Sequence, residues 1–163
     1  MCPPTHFDVN HVNEGEGDCL QAGDRIPAAT GFRSAPESHA GVESLFQAPV
    51  VGLTLVDPRS YHPDTALAVL DDQQIMYFPG AFSAESRSVL EGLYPDAILA
   101  TEVDAEVFGH NAVSDGVHVG LPEQATGLAE QLRAAGCEPI GVDTTELLKA
   151  GGGAKCITSE SHS

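Results

Sequence analysis

Compared with itself, the chain returns to one order of elements three times. From Asp18, Cys19-Leu20-Gln21-Ala22 and Arg25-Ile26-Pro27-Ala28-Ala29-Thr30 flank a turn at Gly23-Asp24, a hairpin pattern. A helix follows. Ala35-Pro36-Glu37-Ser38 opens it, and Val42, Leu45 and Phe46 are spaced to share one face. Residues 50–56 then read as a strand buried on both faces.

The order repeats from Asp64. Ala66-Leu67-Ala68-Val69-Leu70 and Ile75-Met76-Tyr77-Phe78 flank the turn Asp71-Asp72-Gln73-Gln74, Ser83-Ala84-Glu85-Ser86 caps a helix through Leu90 and Leu93, and Ala97-Ile98-Leu99-Ala100 closes the unit as a strand. It repeats again from Asn111. Ala112-Val113 and residues 117–121 flank Ser114-Asp115-Gly116, a helix is expected over 122–135 with Gly136 as its stop, and Pro139-Ile140-Gly141-Val142 closes the unit.

Asp18, Asp64, Asn111 and Cys156 therefore stand at equivalent points, at intervals of 46, 47 and 45 residues. The expected fold is α+β, with three strand-strand-helix-strand modules and the opening of a fourth at Cys156. Such modules do not bury their faces alone. Set around an axis, they bring each module's first residues together, so that Asp18, His62, Asn111 and Cys156 converge on one pocket.

Charge narrows the range of partners. Seven Lys and Arg against 24 Asp and Glu give a net charge of -17, which repels a phosphate backbone and an anionic bilayer and attracts a small cation. No nucleic-acid or membrane partner is expected. The four cysteines, Cys2, Cys19, Cys137 and Cys156, form no C-x-x-C pair and follow no signal peptide, which points to a reduced, cytoplasmic setting without structural zinc.

Cys156 follows Gly151-Gly152-Gly153-Ala154-Lys155, just after the helix-forming run Thr144-Thr145-Glu146-Leu147-Leu148-Lys149. Glycines there admit positive φ and let backbone or ligand come close. A cysteine so placed is either a small buried hydrophobe or a thiolate nucleophile. Nucleophilic chemistry needs a base, and His62, two residues from Asp64, is the candidate. His39 and His118 read as structural, His110, directly before Asn111, reads as either a structural or a pocket-lining residue, and none of the chain's histidines sits in metal-ligand spacing with a cysteine or carboxylate.

Four segments now carry a resemblance. Glu14-Gly15-Glu16-Gly17-Asp18, His62-Pro63-Asp64-Thr65-Ala66-Leu67, Asn111-Ala112-Val113-Ser114-Asp115-Gly116 and Gly151-Gly152-Gly153-Ala154-Lys155-Cys156 resemble, in order and spacing, the motifs of the guanidino-group-modifying (pentein) superfamily. Within it they are most like the bacterial dimethylarginine dimethylaminohydrolase and amidinotransferase-like proteins. The resemblance implies a module-built α/β propeller of five units, of which 1–163 would hold about three in a single, truncated domain, with residues 1–9 as the family's opening strand. Pro63 departs from the family's usual aliphatic residue, and proline constrains the setting of His62.

The resemblance also implies chemistry. Cys156 attacks the central carbon of a guanidinium, His62 serves as general acid and then base, and Glu14 or Glu16, Asp18 and Asp64 offset the cationic thiouronium intermediate. The motif's extra residue leaves Glu14 and Glu16 both as candidates. Asp18, Arg33, Asp64 and Asn111 are expected to bind substrate, Arg33 by pairing its α-carboxylate. No cofactor and no metal are implied. The implied substrate is a small guanidino compound, hydrolysed as dimethylarginine to citrulline and dimethylamine, with arginine deimination, amidino transfer and a non-catalytic remnant of the family as the alternatives. Exposed module edges imply pairing with a second copy, and the Cys156 thiol is expected to ionise more readily than a free cysteine.

Overall fold

The computed structural model describes residues 13–158. The expected opening strand, Cys2, His6, His11 and the tail from residue 159 lie outside them. In chain order, Ile26–Thr30 (β1) and Val50–Thr54 (β2) pair in parallel across the helix Ser38–Phe46 (α1). Leu67–Val69 (β3) then pairs antiparallel with Ile75–Tyr77 (β4), which pairs in parallel with Ile98–Leu99 (β5) after the helix Ala84–Leu93 (α2). A short helix, Glu102–Glu106 (α3), leads into the third unit. There Val113–Ser114 (β6), His118–Pro122 (β7) and Glu138–Val142 (β8) repeat the antiparallel and parallel pairings, with Thr126–Ala134 (α4) between the last two. Thr145–Leu148 (α5) follows.

The three modules are thus present, the first with a reduced hairpin. Its leading limb makes only the bridges Cys19 to Ala28 and Ala22 to Arg25. Pro27 has no N–H to extend the ladder, although its carbonyl accepts from Leu20 N at 3.0 Å. One core joins all three modules through Leu53, Leu67, Met76, Tyr77, Leu90, Val119, Leu121, Leu128 and Leu132.

Local chemistry accounts for most boundaries. Asp71 Oδ1 accepts from Gln73 N (2.7 Å) and Gln74 N (2.8 Å), closing the β3–β4 turn. Ser83 Oγ accepts from Ser86 N at 3.2 Å and caps α2. Gly136, at φ 92°, ends the turn after α4.

Three expectations are corrected. Residues 50–56 are not buried on both faces, because a two-stranded sheet has one covered face: Leu53 and Leu55 are buried, whereas Gly52, Thr54 and Val56 are exposed. Of the apolar residues on α1, Val42 is buried but Leu45 is 76% and Phe46 57% exposed. The fourth helix begins at Thr126, since Pro122 still belongs to β7 opposite Val142, and Glu123 N, one residue later, donates to Val142 O at 3.0 Å.

Candidate active site

Three module openings form tight 3₁₀ turns, Gly15–Gly17, Pro63–Thr65 and Lys155–Ile157. Pro63 takes the first position of its turn, where its fixed φ fits and its missing N–H is not needed. It also favours the extended backbone seen at His62 (φ −123°, ψ 154°). Thr65 Oγ1 closes the turn, accepting from His62 N at 3.1 Å and donating to His62 O at 2.7 Å. Pro63 is therefore compatible with a well-held His62.

The turns bring four ionisable side chains into a line. Glu14 Oε2 meets His62 Nε2 at 2.7 Å, His62 Nδ1 lies 3.9 Å from Asp64 Oδ1, and the Cys156 thiol donates to Asp64 Oδ2 at 3.8 Å. Gly17 allows the approach: a Cβ there would stand 3.1 Å from His62 Nδ1. Glu16 turns away and pairs with Lys155 Nζ at 2.7 Å. Of the two candidate carboxylates, Glu14 is therefore the one in contact with His62.

The remaining candidates divide into exposed and buried groups. Arg33 is exposed, with Nη1 at 3.3 Å from Glu14 Oε1 and its guanidinium 5.2 Å from the Tyr61 ring centre. Asp18 is buried, and its Oδ2 accepts from Glu14 N at 2.7 Å and from Ser34 Oγ, so it holds the Gly15–Gly17 turn in shape. Asn111 is fully buried, with its amide engaged by backbone of the other two turns. Tyr61, Ser34 and Lys155 were not singled out by sequence reasoning. Tyr61 lies 4.7 Å, ring to ring, from His62 and donates to Gly151 O at 3.1 Å. Its position beside His62 was the available signal.

Electrostatics sets the resting protonation. Burial raises the Asp64 carboxyl to about 6, against relief from His62, Cys156 and Lys155. Its Oδ1 has no hydrogen-bond partner. The hydrogen bond from His62, with help from Arg33, lowers Glu14. Cys156 is accessible, yet desolvation of its thiol and the Asp64 charge push its pKa up. This direction is opposite to the readily ionised thiol expected above: desolvation, and after it the Asp64 charge, disfavour the thiolate.

A groove of about 1200 Å³ does not contain His62, Asp64 or Cys156. It runs beside them, sharing Gly15, Glu16 and Lys155, between Val42, Leu45 and Phe46 of α1 and Leu67 to Gln73. Among the described residues no three His, Cys, Asp or Glu side chains gather as a metal site, and no helix is long and apolar enough to cross a membrane.

The three modules and the Glu, His, Asp and Cys that they bring together match what the resemblance to the guanidino-group-modifying enzymes implies, and comparison with known proteins finds similarity to enzymes of that kind. No family model matches the chain. It is, however, 57% identical over 154 residues to the N(G),N(G)-dimethylarginine dimethylaminohydrolase of Mycobacterium tuberculosis, a match that covers 94% of this chain and 51% of that protein. It is 38% identical over 149 residues to the bifunctional arginine dihydrolase/ornithine cyclodeaminase ArgZ of Synechocystis, covering 89% of this chain and 21% of the relative. The product-bound N-terminal domain of the cyanobacterial arginine dihydrolase ArgZ superposes with a TM-score of 0.87 at 36% identity, over 92% of this chain and 56% of that domain. The chain thus spans about half, or less, of the relatives it matches.

Proposed function

We propose that these residues form the nucleophile half of a cysteine-dependent hydrolase that cleaves a guanidinium C–N bond in arginine-like substrates, dimethylarginine giving citrulline and dimethylamine. The observation that carries this is the Glu14–His62–Asp64–Cys156 line, built from three turns far apart in sequence. Asp64 Oδ1, which accepts no hydrogen bond, offers an acceptor to a guanidinium N–H. Homology supports the substrate class, since the relative at 57% identity is a dimethylarginine dimethylaminohydrolase.

In the proposed sequence, the bound guanidinium neutralises the field of Asp64 and so favours the thiolate, which the free site disfavours. Cys156 gives its thiol proton to solvent, and the thiolate attacks the guanidino carbon to form a C–S bond as the C–N π pair moves onto nitrogen. His62, held by Glu14, gives its proton to the departing amine as the C–N bond breaks, leaving a thiouronium. His62 then takes a proton from water, which adds to the same carbon, and the C–S bond breaks to return the thiol and release the ureido product. Arg33 pairs the substrate's α-carboxylate by exchanging its contact with Glu14.

Resemblance to ArgZ favours arginine itself as a second substrate reading. Amine analysis separates the two: dimethylamine from dimethylarginine, ammonia from arginine. Competitive alkylation tests the shared core of the readings. 2-Chloroacetamidine, a guanidinium mimic, is expected to label Cys156 ahead of Cys2, Cys19 and Cys137, with protection by excess substrate, whereas neutral iodoacetamide shows no such preference. Equal labelling of all four cysteines by the amidine, with no ureido product from any arginine analogue, overturns the hydrolase reading. We further infer that the apolar groove pairs copies of the chain, a reading supported by the exposed Leu45 and Phe46 at its edge.

A further inference from the structure

The third module contributes two adjacent residues that the proposed chemistry leaves without a reacting role. His110 is 1% and Asn111 0% exposed, so neither is available to a ligand in solution. His110 Nε2 lies 2.7 Å from Thr65 O. A carbonyl accepts only, so Nε2 carries the proton, and the buried Nδ1 has no partner. Asn111 Nδ2 donates to the preceding carbonyl, Asp64 O, at 2.7 Å. On its other side, Asn111 Oδ1 accepts from Lys155 N at 3.1 Å and Cys156 N at 3.4 Å. Gly153 makes this approach possible, since a Cβ there would stand 2.9 Å from Asn111 Oδ1.

We propose that His110 and Asn111 are positioning residues that hold the His62–Asp64 turn and the Cys156 turn in register, through one planar amide bonded to both and an imidazole that pins the adjacent carbonyl. The coupling of the turns is a statement about structure; its effect on reactivity rests on the hydrolase reading. Asparagine suits the position because it places a donor and an acceptor on opposite sides of one short rigid group. Aspartate lacks the donor and glutamine is longer. His110 is held in place between Phe78 and Phe108, with ring centres at 5.9 and 6.4 Å. Its one direct partner is a carbonyl, and burial lowers its pKa to about 4 against the fields of Asp104 and Asp57.

The test uses the full chain with Asn111→Asp, His110→Phe and His110→Gln, read by amide hydrogen exchange and by Cys156 alkylation. In Asn111→Asp, exchange is expected to rise about tenfold or more at Thr65 and Ala66 and, together with them, at Lys155 and Cys156, while β4 and α4 stay protected. The amidine-over-iodoacetamide preference at Cys156 should fall about tenfold. His110→Phe should loosen the 62–66 turn, and His110→Gln, which keeps an N–H for Thr65 O, should restore its protection. Faster exchange in one turn alone, or spread evenly through the sheets, overturns the coupling, as does failure of His110→Gln to differ from His110→Phe. If the unmutated chain shows no amidine preference and forms no ureido product from any arginine analogue, the hydrolase reading fails while the exchange data still decide the coupling.

Discussion

Asp64 is the side chain at which stability and the proposed chemistry conflict. Its folded pKa of about 6 lies above the ordinary 3.8, so the native state holds a proton that the unfolded chain has lost. Its contribution is present below about pH 4 and lost as pH rises through 6. Asp64→Asn is therefore expected to gain on the order of 1–3 kcal/mol over the parent at pH 8 and little at pH 4, in urea unfolding at both values. The same variant should lose hydrolysis, because the guanidinium loses its charge partner. At Arg33, replacement by Ala should raise KM for substrates with an α-carboxylate while kcat changes little, as steady-state kinetics would show. The sequence supplied the ionisable cast but not the choice between Glu14 and Glu16, which depends on which way a three-residue turn faces. Nor did it give the direction of the Cys156 shift, since desolvation and the distance to Asp64 are properties of the packed site.

The elements follow their end signals where these are local. Ser83 was legible as a cap because the cap acts within three residues, and Ser83→Ala is expected to cost about 1 kcal/mol in thermal or urea unfolding. Leu132 on α4, at 0% exposure, should cost about 2–5 kcal/mol on truncation to alanine. Legibility fails where a partner decides. Pro122 reads as a helix opener, yet it ends β7 because β8 lies alongside. Residues 50–56 read as doubly buried because apolar content does not say how many faces of a sheet are covered. The 45–47 residue period survived these errors, since it depends on the order of elements and not on their ends.

At the scale of the molecule, the apolar groove and the net charge of -17 act against each other. Sedimentation at rising salt is expected to show association as repulsion is screened, and Leu45→Glu with Phe46→Glu should abolish it. Unchanged sedimentation in the double variant would remove the groove from the account. The pairing of Glu16 with Lys155 spans 139 residues, and that of Tyr61 with Gly151 spans 90. Contacts of such separation are slow to find one another, whereas β3–β4 and β6–β7 need only neighbouring chain. On refolding from urea, the helical signal is thus expected to return before Cys156 regains its selective labelling by an amidine. The order of events in time would make this thiol a clock for the last step of folding.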